Sequence, residues 1–425
     1  MKKSAISRRG FLVRAACGAA VVSFDAAIPN VFARTAAGLA ADQGRSSRRL
    51  LVVIGLYGGN DGLNTVVPFA DDEYHKARPT IGIKPERTLK LDDVTGLHPA
   101  LAPFREFWDQ GRLAIVQGVG YPDPSYSHFQ SMDVWMTGDL RGAAAGAGWL
   151  ARAAEAWPHA ERGRFCATGL GPGGLPLALQ SPRIVLPAIA SLEQYEFQTD
   201  SATPDDKVLE REIIRSMCGV ESASDPALVA HARRVMRESL DGIDALREAV
   251  RVAPAAGADY PNTEIGRELA MAARLVAADL GTRVIHVGFG GFDTHANQAG
   301  QHERLLSDLA RGVKAFVADL ERLGRANDTL VLTMSEFGRR LAENGSAGTD
   351  HGTAAPLFAI GPGVAPGIHG AAPSLTDLHI GRDLKFTTDY RSVYATALER
   401  WLGVISEGIL GGKFEPSPFV AALPG

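Results

Sequence analysis

Arg49-Leu50-Leu51-Val52-Val53-Ile54-Gly55-Leu56-Tyr57-Gly58-Gly59-Asn60-Asp61-Gly62 is the stretch on which the fold turns. Residues 50–56 form an apolar run rich in branched side chains, and the glycines with Asn60 and Asp61 end it. That pattern is a buried strand running into a tight loop. Three later runs share it: Leu113 to Gly118, Val284 to Gly288, and Thr329 to Met334, the last entering Ser335-Glu336-Phe337-Gly338. Strands that are apolar on both faces need cover on both, which implies a mostly parallel sheet flanked by helices. One helix is plain in Gln301 to Leu323, where His302, Leu306, Leu309, Val313, Phe316, Leu320 and Leu323 recur at spacings of four and three. Asn262 to Leu280 and Thr388 to Leu402 read the same way, and the alternation predicts an α/β, doubly wound fold. Residues 142–260 break the rhythm with Ala-rich helix, the segment Gly171-Pro172-Gly173-Gly174 and a polar junction from Ser222 to Asp225. They read as a helical insertion or cap over the sheet edge.

The chain has 425 residues, 45% hydrophobic and 22% charged, which is enough to bury a sizeable core. A formal net charge of -4 provides no basic field for a polyanion, so nucleic acid is excluded as a partner class. Residues 1–41 differ from the rest: Lys2, Lys3, Arg8 and Arg9 precede an apolar run from Phe11 to Phe24 and then small residues. Ser7-Arg8-Arg9-Gly10-Phe11-Leu12 matches a twin-arginine export signal, with cleavage expected after Ala33 or Ala40. The apolar stretch is too short and too rich in Ala and Gly for a stable membrane span. The expected organisation is therefore a signal and linker at 1–41 and an α/β domain at 42–425. The expected location is the periplasm or the exterior, with the Tat translocase as partner during export. Cleavage removes Cys17 and leaves Cys166 and Cys218, enough for one disulfide but no framework. Without a CxxC or similar motif, any metal must be held by His, carboxylate and amide groups.

The polar residues at the strand ends carry the chemistry. Asp61, Asp293 with His295, and Glu336 each follow an apolar strand within a few positions, where ligands bind in open α/β sheets. Converging carboxylates repel one another and are costly to desolvate unless a cation neutralises them, which points to a metal site. Gly290-Gly291-Phe292-Asp293-Thr294-His295 gives a carboxylate and an imidazole on one turn, and Thr349-Asp350-His351-Gly352 adds a second imidazole. Any one of these acids alone reads as readily as a helix cap or turn former. Ser127, in Pro124-Ser125-Tyr126-Ser127-His128-Phe129, sits where a loop enters a helix, and is either a nucleophile beside the metal or a simple N-cap. Arg339 is either a clamp for a tetrahedral oxyanion or a surface cation. His302, on the apolar stripe of the long helix, reads as a core residue or as a partner behind the site's ligands, and His98, before Pro99, as a turn and packing residue. There is no GxSxG elbow, Walker A loop, GxGxxG or HExxH.

The segments Leu56 to Thr65, Ser127-His128-Phe129, Phe292-Asp293-Thr294-His295, Ser335 to Arg339 and Thr349 to Gly352 together resemble the family known as domain of unknown function 1501, over essentially the whole mature chain. That family resembles a branch of the alkaline phosphatase-like and sulfatase superfamily. The resemblance implies an alkaline phosphatase-like fold and a metal-dependent hydrolase acting on a phosphate or sulfate ester, small molecule or polymer, through Ser127. It implies one or two divalent ions, zinc above all, on Asp61, Asp293, His295, Glu336 and His351. Two positions depart from the superfamily's pattern: Asn297 and Phe337 stand where it usually has histidines. His295 could replace the first, and His128 or Asn64 could complete a second site. The alternative is a periplasmic binding or assembly protein that keeps the fold without turnover.

Overall fold

β1 (Leu50–Leu56) lies in the middle of a nine-stranded sheet, and every one of its residues is buried. The computed structural model describes residues 49–142, 146–158, 163, 165–192, 203–219, 226–252 and 256–421. The export signal at 1–41 lies outside the described residues. The other strands are β2 (Leu113–Gly120), β3 (Ala167–Leu170), β4 (Ala188–Ile189), β5 (Val284–Phe289), β6 (Thr329–Met334), β7 (Ala355–Ile360), β8 (Gly367–His369) and β9 (Thr388–Asp389). They stand in the order β8-β2-β7-β6-β1-β5-β3-β4, with β9 also on β2. β1 runs parallel to both β5 and β6, while β7 runs antiparallel to β6 and β2. No crossover helix lies among residues 335–354, so the chain returns beside β6 reversed.

Both faces of the sheet are covered, and β1 shows why its run is continuous. Leu51 and Val53 enter one core with Leu330, Leu332 and Tyr394, whereas Leu50, Val52 and Ile54 enter the other with Leu269, Leu309 and Phe316. A strand read alternately by two cores has no polar face to show in its sequence. The covering helices include α1 (Ala102–Asp109), α2 (His128–Thr137), α3 (Trp149–Ala156), α4 (Pro204–Gly219), α5 (Ala227–Val252), α6 (Glu264–Ala277), α7 (Gln298–Arg322) and α8 (Tyr390–Ala395). On α7 the expected stripe is buried from His302 through Leu320, and Leu323 just beyond the helix is partly buried against the same core. The fold is α/β and doubly wound around a mostly parallel sheet. Within residues 142–260, β3 and β4 extend the sheet beyond β5, and α4 packs on α5. Cys166 and Cys218 are both buried and are not joined in a disulfide. Among the described residues, no helix is long and apolar enough to cross a membrane.

Candidate metal centre

The loops after β1, β5 and β6 meet because those three strands are neighbours and parallel. Gly58, in the first loop, has φ +114, and a Cβ there would lie 2.4 Å from the Asp293 backbone nitrogen. Only glycine lets the β1 loop press so closely on the turn that carries Asp293. Its N–H donates to Glu336 Oε1 at 2.8 Å, tying the third loop to the first.

Glu336 is buried and fixes an imidazole: His128, the first residue of α2, places Nδ1 2.7 Å from Glu336 Oε1. The neighbouring Ser335 hydroxyl also lies 3.3 Å from the Glu336 carboxylate. On the opposite side, His351 Nδ1 lies 2.8 Å from the Tyr126 carbonyl oxygen. Both acceptors favour a proton on Nδ1, and each Nε2 faces Asp293, donating to its carboxylate when the ring is protonated and offering a lone pair to a cation when it is neutral. His128 Nε2 is 3.4 Å from Asp293 Oδ2, and His351 Nε2 is 3.2 Å from Asp293 Oδ1. His295 Nε2 stands 3.0 Å from Asp293 Oδ1 and 3.0 Å from His351 Nε2. Among the described residues, His128, Asp293 and His351 form the one group of three side chains able to offer converging ligand atoms.

Electrostatics follow from these contacts. Burial pushes the Asp293 carboxyl up, but hydrogen bonds from Arg339 and His351 and the nearby charges of Arg339 and His295 outweigh it and hold the group at about 2. The bond to Glu336 raises His128. Burial lowers His351, against the bonds to Tyr126 and Asp293. Phe337 lies beneath both rings, with centroids 4.9 Å from His128 and 4.7 Å from His351.

The other sequence-level candidates lie elsewhere or act differently. Asp61 is fully buried in an ion pair with Arg78, 2.6 Å from its guanidinium, and accepts from Gln298 and the Asn64 backbone, so it is not part of the converging group. Asn64 is occupied by Arg78, Tyr74 and the Ile81 carbonyl. Arg339 is neither exposed nor open to a ligand: its guanidinium donates to the carbonyls of Gly58, Gly59, Phe292 and Thr349 and to Asp293 at 2.7 Å. Ser127 is the N-cap residue of α2, and its side chain makes no capping bond. Asn297 opens α7 in the left-handed region, also without a side-chain cap. His302 is held by Asn60, and His98 caps the turn at Pro99.

The group opens into a cavity of about 660 Å³, lined by His128, Asp293 and Glu336 and also by His286, Glu264 and Glu268. The sequence carries signals for two of these, His286 and Glu268, that patterning by strand ends does not catch. His286 interrupts an apolar strand, and Glu268 interrupts the apolar face of α6 between Ile265 and Leu269.

The sequence profile described as "Protein of unknown function (DUF1501)" matches residues 48–410. The chain belongs to the DUF1501 family. Solved structures with partial likeness to this DUF1501 protein include three hydrolases. The PsFucS1 sulfatase from Pseudoalteromonas sp. is 13% identical, with 89% of this chain and 72% of that one covered and a TM-score of 0.40. The alkaline phosphatase from the Antarctic bacterium TAB5 is 12% identical, with 74% and 92% covered and a TM-score of 0.30. The phosphonate monoester hydrolase of Agrobacterium radiobacter is 11% identical, with 86% and 78% covered and a TM-score of 0.34. No curated protein matches this DUF1501 chain. At such scores the chemistry has to be read from the side chains.

Proposed function

We propose that this chain is an exported, metal-dependent hydrolase of a phosphate or sulfate ester, with Ser127 as the attacking hydroxyl. The observation that carries the reading is the arrangement of nitrogen donors around one carboxylate. His128 Nε2 is buried without a hydrogen-bond partner, and the Nε2 atoms of His295 and His351 stand 3.0 Å apart at Asp293. Lone pairs gathered in this way are costly unless a cation receives them. The donor set of neutral imidazoles and a carboxylate suits zinc, and three protein ligands are what a catalytic zinc site supplies. A single ion is the better fit, because Phe337 occupies the position where the superfamily has a second-site histidine.

His128, Asp293 and His351 would hold that ion, with His295 at the rim. A divalent ion there supplies a Lewis acid for the ester oxygens and lowers the pKa of a hydroxyl at the site. The protein's own residues do the rest. Glu336 and the Tyr126 carbonyl fix which imidazole nitrogens face the centre. Arg339 holds three loops together through their carbonyls rather than gripping the ester. Ser127 stands at the N-terminus of the ten-residue α2, where backbone N–H groups favour an anion, and its hydroxyl is not spent on capping. His295, with a side chain 44% exposed, is placed to take up or release a proton.

The test is metal content and turnover of p-nitrophenyl phosphate and sulfate on the same folded protein. Ser127→Ala is expected to retain the metal and lose turnover by on the order of 10³-fold or more. Unchanged turnover in that variant would assign the attack to water instead. Metal-free, inactive, folded wild type would leave the binding-protein alternative.

The proposal of export rests on Ser7-Arg8-Arg9-Gly10-Phe11-Leu12. Changing both arginines to lysine is expected to keep the precursor in the cytoplasm, as cell fractionation would read. Equal export of that variant would argue for another route.

A further inference from the structure

Beyond the metal ligands, the cavity has an acidic wall that the ester chemistry does not use. We propose that this wall, centred on Glu268, is the subsite that selects the substrate, and that it takes a cationic amine on the alcohol portion of the ester. The inference rests on the hydrolase reading for placing the ester at His128 and Asp293.

Glu268 lines the cavity from α6 and is 4% exposed, and its Oε2 has no hydrogen-bond partner. A buried carboxyl left unmatched is a standing cost to the fold, which binding of a complementary group removes. The wall is shaped around it: Gly171 has φ +108, and a Cβ there would lie 2.3 Å from Glu268 Oε1. Exposed Glu264, one turn earlier on α6, and half-buried Asp133, from α2, line the same space, which no Lys or Arg lines; Arg267 and Arg274 line the adjoining cavity on the far side of Glu264 and Glu268. This wall therefore carries three carboxyls without a cation among the residues lining the main cavity. Among the described residues, Glu268 belongs to no group of three converging ligand atoms, so an organic cation fits it better than a metal ion. Met132, Met136 and Leu177 add apolar surface to the same lining, so the fitting ligand joins an ester and an ammonium through an apolar portion.

The groups facing Glu268 agree with this. Burial, and then Glu264, push its carboxyl up to about 8, with Arg267 on the same helix opposing. Burial holds His286 at about 4, so it brings no charge at neutral pH, and Tyr57 stays protonated. An ammonium bound at neutral pH would draw Glu268 into its ionised form, releasing the carboxyl proton to solvent. One proton leaves, one ion pair forms, and no bond to carbon changes.

The experiment is calorimetric titration of the full chain, with and without zinc, using hexylammonium chloride, hexanol and sodium hexanoate. Hexylammonium is expected to bind at least tenfold more tightly than either of the others, with a proton released when buffers of different ionisation enthalpy are compared. Glu268→Gln is expected to weaken hexylammonium at least tenfold and to leave hexanol unchanged. Equal binding of hexylammonium and hexanol to wild type, or undiminished hexylammonium binding by Glu268→Gln, overturns the proposal. The fold is checked by melting. Because the folded carboxyl is raised above its ordinary 4.5, its stabilising contribution is present below that value and is lost as pH rises through about 8. Glu268→Gln should therefore melt above wild type by a margin that widens from pH 6 to pH 9. Should that variant fail to fold, Glu264→Gln, at an exposed position, is expected to weaken hexylammonium several-fold, and no change there counts against the proposal. Hexylammonium carries no ester, so its binding is read whether or not the chain turns over p-nitrophenyl esters. Turnover without amine selectivity removes this subsite and leaves the hydrolase reading intact.

Discussion

Asp293→Ala is expected to yield folded protein without its metal and with turnover lower by on the order of 10³-fold or more. Asp293 is the one side chain that every other member of the centre addresses: Arg339 and His351 reach Oδ1, His295 shares it, and His128 faces Oδ2. Without that carboxylate, a bound cation loses its one anionic ligand and faces the Arg339 guanidinium, which is left without its counter-charge. His351→Ala is expected to do the same through the loss of one ligand. Glu336→Gln should be milder, because the amide oxygen still accepts from His128 Nδ1 but no longer carries the charge that makes the imidazole a better donor. A loss of metal affinity of about 10- to 100-fold is the scale for such a partner. Elemental analysis of gel-filtered protein, with turnover on the same samples, reads all three variants. Stoichiometric metal and full turnover in Asp293→Ala would place the reaction elsewhere.

The graded series separates what the sequence could reveal from what it could not. The turn Asp293-Thr294-His295 and the loop at His351 are legible because each follows or precedes an apolar strand, and strand ends are where an open α/β sheet gathers its ligands. Glu336 is legible as a strand-end acid, yet its partner His128 lies 208 residues away, and no local pattern announces that pairing. The same holds for Arg339, whose targets are backbone carbonyls on three separate loops. Backbone acceptors leave no trace in residue type, so a buried, fully engaged arginine looks like a surface one. The sheet was legible from β1, since a run without a polar face needs two cores, and from the stripe of α7. The reversal of β7 was not inferred, although the lack of a helical run between Met334 and Ala355 was its signal. Glu268 is legible as the acid in the apolar face of α6, an interruption that lies away from any strand end.

Arg78→Met is expected to destabilise the protein by about 3–5 kcal/mol, the scale for stranding one member of a buried ion pair. Asp61 and Arg78 have fully buried side chains, 2.6 Å apart. Arg78 also donates to the carbonyls of Arg340 and Leu341, so it ties the β1 loop to the segment that leads to His351. Burial pushes the Asp61 carboxyl up, but the Arg78 charge and hydrogen bond, with His302 and Gln298, hold it below its ordinary 3.8. The pair's contribution is therefore present above that value and lost as pH falls toward the lower folded one. Asp61→Asn should remove this acid-sensitive part and cost stability at neutral pH. The double variant should cost less than the two single losses summed, since the second change removes a charge already stranded. Denaturant unfolding at pH 7 and pH 3 measures each corner of the cycle. Metal content decides between the two roles open to Asp61. A ligand, as the family resemblance implies, would take metal and stability away together. A carboxylate already neutralised by Arg78 has no charge to spare for a second cation, so the folded fraction of Asp61→Asn should keep its metal.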